Sequence, residues 1–180
     1  TDEVNITTLA IPEIAITSSD AAICFGESVT LQLSTQNATS YVWWDGFTGL
    51  TSRTIVPNLN DTTIAYWAEA INAIGCRNID SVFVQINPLP EVEINVAGGS
   101  DAICYGAQAT LSSPEIEGYA WEWFVNGVST GITSNLFSFN IYEDVVVGLE
   151  VIDANGCSNY GEKNLLVIDL PGILLSPDTL

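Results

Sequence analysis

The stretch DAAICFGESVTL, residues 20–31, returns eighty positions later as DAICYGAQATL, residues 101–111. Each version places a cysteine and a glycine just ahead of a run of alternating apolar and polar residues, the pattern of a half-buried strand. The match continues on both sides of the phrase. Cys24, Gly26 and Leu31 recur as Cys104, Gly106 and Leu111, and Gly75–Cys76 recurs as Gly156–Cys157 with a shift of 81. Tyr41 and Trp43 of YVWWDG correspond, at a shift of 78, to Tyr119 and Trp121 of YAWEWFVNG. Landmarks repeated at a near-constant spacing mark a tandem duplication. The copies meet at NPLPEVEI, residues 87–94, where two prolines fix φ and remove ladder donors, making a short, stiff join. The expected domains are therefore 1–88 and 89–180.

Inside each copy the apolar runs are short and separated by turn residues. Copy one reads as EIAIT, SVTLQLS, SYVWW, RTIVPN, TIAYWAEAI and SVFVQI. Copy two reads as EVEINVA, ATLSS, YAWEWFV, LFSFNI, VVVGLEVI and NLLVIDL. No segment combines a 3.6-residue apolar period with helix caps. About six strands in 80 to 90 residues, with an aromatic on the third, is the pattern of an immunoglobulin-like sandwich. The fold class expected is all-β, two tandem immunoglobulin-like antiparallel sandwiches. Period-two alternation puts Tyr41 and Trp43 on one face, and Tyr119, Trp121 and Trp123 on another, with Trp43 and Trp121 as the expected core anchors.

As a set, the order C-x-G-x-x-V-T-L, Y-x-W, N-x-x-G-C and V-x-V-x-I-N-P-L-P resembles the immunoglobulin/PKD-like repeats of large Bacteroidota surface proteins. That group includes gliding-motility adhesins and other type IX secretion substrates. The likeness covers roughly residues 11–170. It implies export, display on the bacterial cell surface and arrays of many such units, with neighbouring repeats of the same polypeptide as the first partners. Copy two departs from copy one at ATLSSPEIEG, where Pro114 predicts a shorter second strand.

Charge narrows the function classes. Twenty-two acids stand against Arg53, Arg77 and Lys163, a formal net charge of −19. A surface without a basic patch cannot neutralise phosphates, which excludes nucleic acid and anionic membranes as partners. No apolar run approaches the roughly 18 residues of a membrane span, so no membrane insertion is expected. Thr1 opens no signal peptide and Leu180 closes no sorting signal, so the chain reads as a piece of a longer polypeptide.

The four cysteines, Cys24, Cys76, Cys104 and Cys157, lack Cys-x-x-Cys spacing and have no histidine to share a metal, which points to disulfides and an oxidising compartment. Two connectivities are open. Pairing within repeats would join Cys24 to Cys76 and Cys104 to Cys157. Against it, those corners fall at opposite ends of a sandwich, about 17–20 Å apart, whereas a disulfide needs Cα atoms within about 7 Å. Pairing across the junction would join Cys24 to Cys157 and leave Cys76 and Cys104 to pair with neighbouring repeats of a longer array.

Without histidine, Ser-His-Asp and Cys-His catalysis are excluded. Paired carboxylates such as Glu117 with Glu122, or Asp45 with Asp61, carry no mark of a shared cleft and read as solvated acids. No cofactor is expected, except that Asp153 and Asn155 of DANG, or Glu91 and Glu93 near the join, offer oxygen ligands that would suit calcium. Trp44 alternates away from Trp43, and an outward indole beside aspartates is a candidate glycan contact, with Trp67 on a neighbouring strand. Surface glycans or other cell-surface proteins are thus the candidate external partners. Asp-Thr/Ser pairs resembling Bacteroidota O-glycosylation sites nominate Thr62, Ser81 and Thr179, and Asn5, Asn37 and Asn60 fit the N-x-S/T pattern. The function expected is a non-catalytic extracellular stalk or spacer in a large adhesin or gliding-motility protein. A carbohydrate-binding module accessory to a secreted enzyme is the alternative.

Overall fold

A computed structural model describes residues 10–59 and 61–169. Its described residues form strands, turns and loops without a helix, and the chain divides into two compact units, Thr1–Pro88 and Leu89–Leu180. Each is an immunoglobulin-like sandwich.

In the first unit, β1 (Glu13–Ser18), β3 (Val29–Gln36) and β5 (Ser52–Ile55) make an antiparallel sheet in the order β1-β3-β5. The facing sheet holds β2 (Ala22–Cys24), β7 (Arg77–Asn87), β6 (Thr62–Ile71) and β4 (Ser40–Trp43), in that order. Alternation decides which residues go inside: on β3, Val29, Leu31 and Leu33 are buried while Gln32 and Ser34 face solvent. These close over Ile16, Trp43, Tyr66, Ala68, Val84 and Ile86.

The second unit repeats the plan. β8 (Asn95–Val96), β10 (Gln108–Ser112) and β13 (Leu136–Asn140) form one sheet. The other runs β12-β11-β14-β15-β9, with β9 (Ala102–Cys104), β11 (Ala120–Val125), β12 (Val128–Ser129), β14 (Val145–Ile152) and β15 (Ser158–Ile168). Asn126 and Gly127, at φ 50° and 76°, supply the left-handed turn that folds β11 onto β12. The core gathers Leu111, Trp123, Phe137, Val147, Leu149 and Leu165, with Phe137 stacked between Trp123 and Phe139.

Three details differ from the sequence reading. The last strands begin earlier than SVFVQI and NLLVIDL suggest, at Arg77 and Ser158, because their polar first halves pair in register with β6 and β14. Only Asn95–Val96 of EVEINVA forms ladder bonds. The cysteine phrases AIC form short strands of their own, β2 and β9, parallel to the last strand of their unit. The shorter strand expected before Pro114 is present: β10 has 5 residues where β3 has 8.

The anchor of the second core is Trp123, not Trp121. Trp43 and Trp123 are both fully buried, and their indole Nε1–H groups donate to carbonyls of the chain that crosses below them, Leu50 O at 2.9 Å and Ser134 O at 2.8 Å. Trp43 faces Ala68 and Trp123 faces Leu149 across the ladder, positions 81 apart. The correct frame for this strand is therefore the 80-residue shift of the cysteine phrases. The Tyr-x-Trp match at 78 had slipped by one strand period, which preserves the face but moves the residue toward the sheet end. Trp121 occupies the place of Tyr41 and is half-buried at the margin of the core.

Candidate functional site

The two β hairpins that end the units share one device. After β6, the Asn72 side-chain oxygen accepts from Ile74 N at 3.2 Å and Cys76 N at 2.9 Å, and Gly75 takes φ 86°. After β14, an Asp153 oxygen accepts from Asn155 N and Cys157 N, each at 2.8 Å, with Gly156 at φ 83°. Only glycine takes these left-handed positions without strain, which accounts for the repeated glycine before each cysteine. Asp153 is thereby engaged with backbone donors, and its other oxygen meets Asn155 Nδ2 at 3.4 Å. Among the described residues no three potential metal-ligating side chains converge.

Strand pairing decides the cysteine question within each unit. Cys24 pairs with Asn87 at the far end of β7, whereas Cys76 precedes Arg77 at its start. An 11-residue strand at ~3.4 Å per residue puts roughly 35 Å between them. The same holds for Cys104, paired with Ile168, and Cys157 before Ser158. Pairing within repeats is therefore ruled out by geometry. Cys24 and Cys157 are disulfide-bonded, whereas Cys76 and Cys104 are free thiols.

Trp44 is not an outward indole. The strand ends at Trp43, whose carbonyl accepts from Gly46 N at 2.8 Å in a tight turn, so alternation stops there. The Trp44 ring instead lies 4.8 Å from Tyr66 and 5.8 Å from Trp43, edge to face, and packs against the core. Arg53 covers the cluster, its guanidinium carbon 4.9 Å from the Trp44 ring centre and 4.6 Å from that of Phe47. Two 2.8 Å hydrogen bonds tie the same guanidinium to Asp45. The outward indole expected as a glycan contact is therefore corrected: Trp44 turns toward the core and packs against Tyr66, Trp43 and Arg53.

The Arg53 hydrogen bonds, aided by Phe47 N–H, hold the Asp45 carboxyl below its usual range against a smaller opposing effect of burial. A lowered folded value stabilises the native state above the ordinary carboxylate pKa, and that contribution disappears as pH falls through the folded value. Wild type is accordingly expected to lose stability more steeply than Arg53→Gln as pH drops below about 4. Urea midpoints measured across that range check it; parallel curves would contradict the pairing.

The remaining nominated residues are dispersed. Glu122 accepts from Ser129 Oγ in the β11–β12 hairpin, and Glu117 sits in the loop before β11. Asp61 takes φ 48° at the entrance to β6. Thr62 is half-buried at the start of β6, Ser81 is exposed mid-strand on β7, and Asn37 is in the turn after β3. Thr179, Asn5 and Asn60 lie outside the described residues.

The outer faces of the two long hairpins differ. In the first unit Trp67, Ile79 and Phe83 are exposed, with Trp67 opposite Ser81 and Phe83 opposite Ala65. In the second, Gly148 takes the place of Trp67, and Tyr160 lies across it. A Cβ at Gly148 would stand 2.0 Å from the Tyr160 hydroxyl, which donates to Glu162 at 3.0 Å. The Tyr160 ring also meets Phe124 edge-on at 5.7 Å. The two outer faces are thus built differently, with Trp67, Ile79 and Phe83 on the first and Tyr160 lying over Gly148 on the second.

Sequence reasoning passed over one concave feature. Within the second unit, Glu91, Glu93, Ser113, Ile116, Tyr119 and Trp121 line a cavity of 260 Å³. The Trp121 Nε1 is buried and has no hydrogen-bond partner in the protein. The sequence signal was Trp121, the second aromatic of YAWEW, which the period-two reading took as the core anchor.

Comparison with known proteins agrees with the sandwich fold. No curated protein matches the chain. Among solved structures, it is similar to a Ca2+-stabilized adhesin described as helping an Antarctic bacterium reach out and bind ice. That match has 15% identity over 91% of this chain and 50% of that one, with a TM-score of 0.50. It is also similar to murine CEACAM1b, at 11% identity over 88% of this chain and 100% of that one, with a TM-score of 0.40. The chain thus spans half the length of the adhesin structure. Identities this low speak to fold alone. Residues 11–88, essentially the first sandwich, match the family described as "Ig-like domain CHU_C associated".

Proposed function

We propose that these two sandwiches are a non-catalytic, extracellular stalk or spacer segment of a large bacterial surface adhesin or gliding-motility protein. The observation that carries the reading is the way each unit closes on itself. Its short cysteine-bearing strand runs parallel to its last strand, Ala22–Cys24 along Gln85–Asn87 and Ala102–Cys104 along Leu166–Ile168. Tension applied through the two ends of a unit drives parallel neighbours in opposite directions, so their hydrogen bonds are loaded together in shear instead of one at a time. That geometry suits a module that carries load between its neighbours. The disulfide-bonded Cys24 and Cys157 fit an oxidising, extracellular compartment. The net charge of −19 discourages adjacent repeats from collapsing on one another.

Pulling the reduced chain from its two ends by force spectroscopy tests the proposal. Two separate cooperative events are expected, each releasing about 25 nm, since roughly 80 residues extend by ~3.5 Å each less the folded span. Extension without resolved events would remove the load-bearing role.

A further inference from the structure

We propose that Cys104 forms a disulfide with the turn cysteine of a following repeat, and Cys76 with the strand cysteine of a preceding one. The inference rests on the reading of the chain as a segment of a longer series of sandwiches, and it names the bond that joins this segment to its neighbours.

Each repeat supplies two kinds of cysteine. Cys24 and Cys104 end short AIC strands that run parallel to the last strand of their unit, opposite Asn87 and Ile168. Cys76 and Cys157 follow the glycine of an Asn- or Asp-capped turn, and their N–H groups donate to that cap at 2.9 and 2.8 Å. One of each kind, Cys24 and Cys157, is disulfide-bonded, and one of each kind, Cys104 and Cys76, is a free thiol. The strand kind is thus bonded in the first repeat and free in the second, whereas the turn kind is free in the first and bonded in the second. That is the pattern of a head-to-tail series in which every strand cysteine pairs forward and every turn cysteine pairs backward. Bonding between the two kinds inside one unit is excluded by the length of the last strand, 11 residues or roughly 35 Å.

Exposure agrees with missing neighbours. Cys104 is exposed where Cys24 is half-buried, and Cys76 is half-buried where Cys157 is fully buried. Uncovered apolar side chains surround both free thiols. Tyr105, next to Cys104, meets Tyr142 edge to face at 5.4 Å, and both rings are about half exposed, as is Ile168 across the ladder. Ile74, in the turn that carries Cys76, is also more than half exposed. A docked repeat would bury these groups together with the bond.

The oxidant is a disulfide of the oxidising compartment, either a small molecule or a protein. The Cys104 thiolate attacks one of its sulfurs, forming a mixed disulfide and releasing one thiolate. The neighbour's turn-cysteine thiolate then attacks the Cys104 sulfur and expels the second. Two protein thiols lose two electrons and two protons, and the oxidant is reduced to two thiols.

A second copy of the full chain supplies both kinds of partner cysteine. The test holds the chain at about 1 mM, the effective concentration that a short join provides in tandem, with oxidised and reduced glutathione. Non-reducing gels and mass spectrometry of linked peptides read the products. A ladder of oligomers is expected, joined by Cys104–Cys76 bonds in about tenfold excess over Cys104–Cys104 and Cys76–Cys76. Cys104→Ser and Cys76→Ser should each abolish the ladder. A statistical mixture of the three pairings would overturn the proposal, as would glutathione left on both thiols without a ladder. Two resolved force events with no Cys104–Cys76 bond would keep the load-bearing reading and remove this one. The bond without resolved events would do the reverse.

Discussion

Trp123→Ala is expected to destabilise the second sandwich by about 3–5 kcal/mol, as is Trp43→Ala in the first. Each indole is wholly buried, and each truncation also orphans a carbonyl, Ser134 O or Leu50 O, that the ring N–H now satisfies. A unit of about 80 residues has roughly 4–12 kcal/mol in total, so either loss takes a large share of its stability. Trp121→Ala, at the margin of the same core, should cost no more than about 1–2 kcal/mol. Urea unfolding followed by fluorescence, with all three variants compared at equal m, checks the ranking. Equal losses at Trp121 and Trp123 would contradict the assignment of Trp123 as the anchor.

The second large effect belongs to the turn of the last hairpin. Asp153→Ala leaves Asn155 N and the buried Cys157 N without their acceptor, and Asp153 itself is only 9% exposed. A loss of about 2–4 kcal/mol is expected, because two charge-assisted bonds vanish and at least one donor stays out of reach of water. Asp153→Asn should cost less than about 1 kcal/mol, since Asn72 performs the same capping in the first unit with the same residue spacing. Thermal unfolding of the two variants separates the cases. If Asn were as damaging as Ala, the carboxylate would be serving something other than the turn.

Much of this architecture could be read from the chain before any coordinates. The doubled cysteine phrase, the Asn/Asp-x-x-Gly-Cys turns and the Asn-Gly hairpin are local signals whose backbone requirements are specific to a few residue types. The proline at 114 shortened its strand for a reason visible in the sequence. What misled was the richness of YAWEWFV: three aromatics on one face satisfy alternation equally well in two frames, and only the partner strand distinguishes them. Trp43 and Trp123 are fixed by what lies across the ladder, Ala68 and Leu149, which no local pattern contains. The Trp44 expectation failed because alternation holds only while the strand lasts, and the strand stopped one residue earlier. Arg53 on its aromatic cluster and the cavity beside Trp121 are assembled from separate strands and loops, so neither left a contiguous signature.

Each sandwich has its own core and its own tryptophan anchor and is expected to unfold as a separate cooperative body, which amide hydrogen exchange on Trp123→Ala tests most directly. Protection should collapse across the strands from 108 to 168 while the amides of 29–36, 62–71 and 77–87 exchange as in wild type. Protection lost in both sets together would contradict the account.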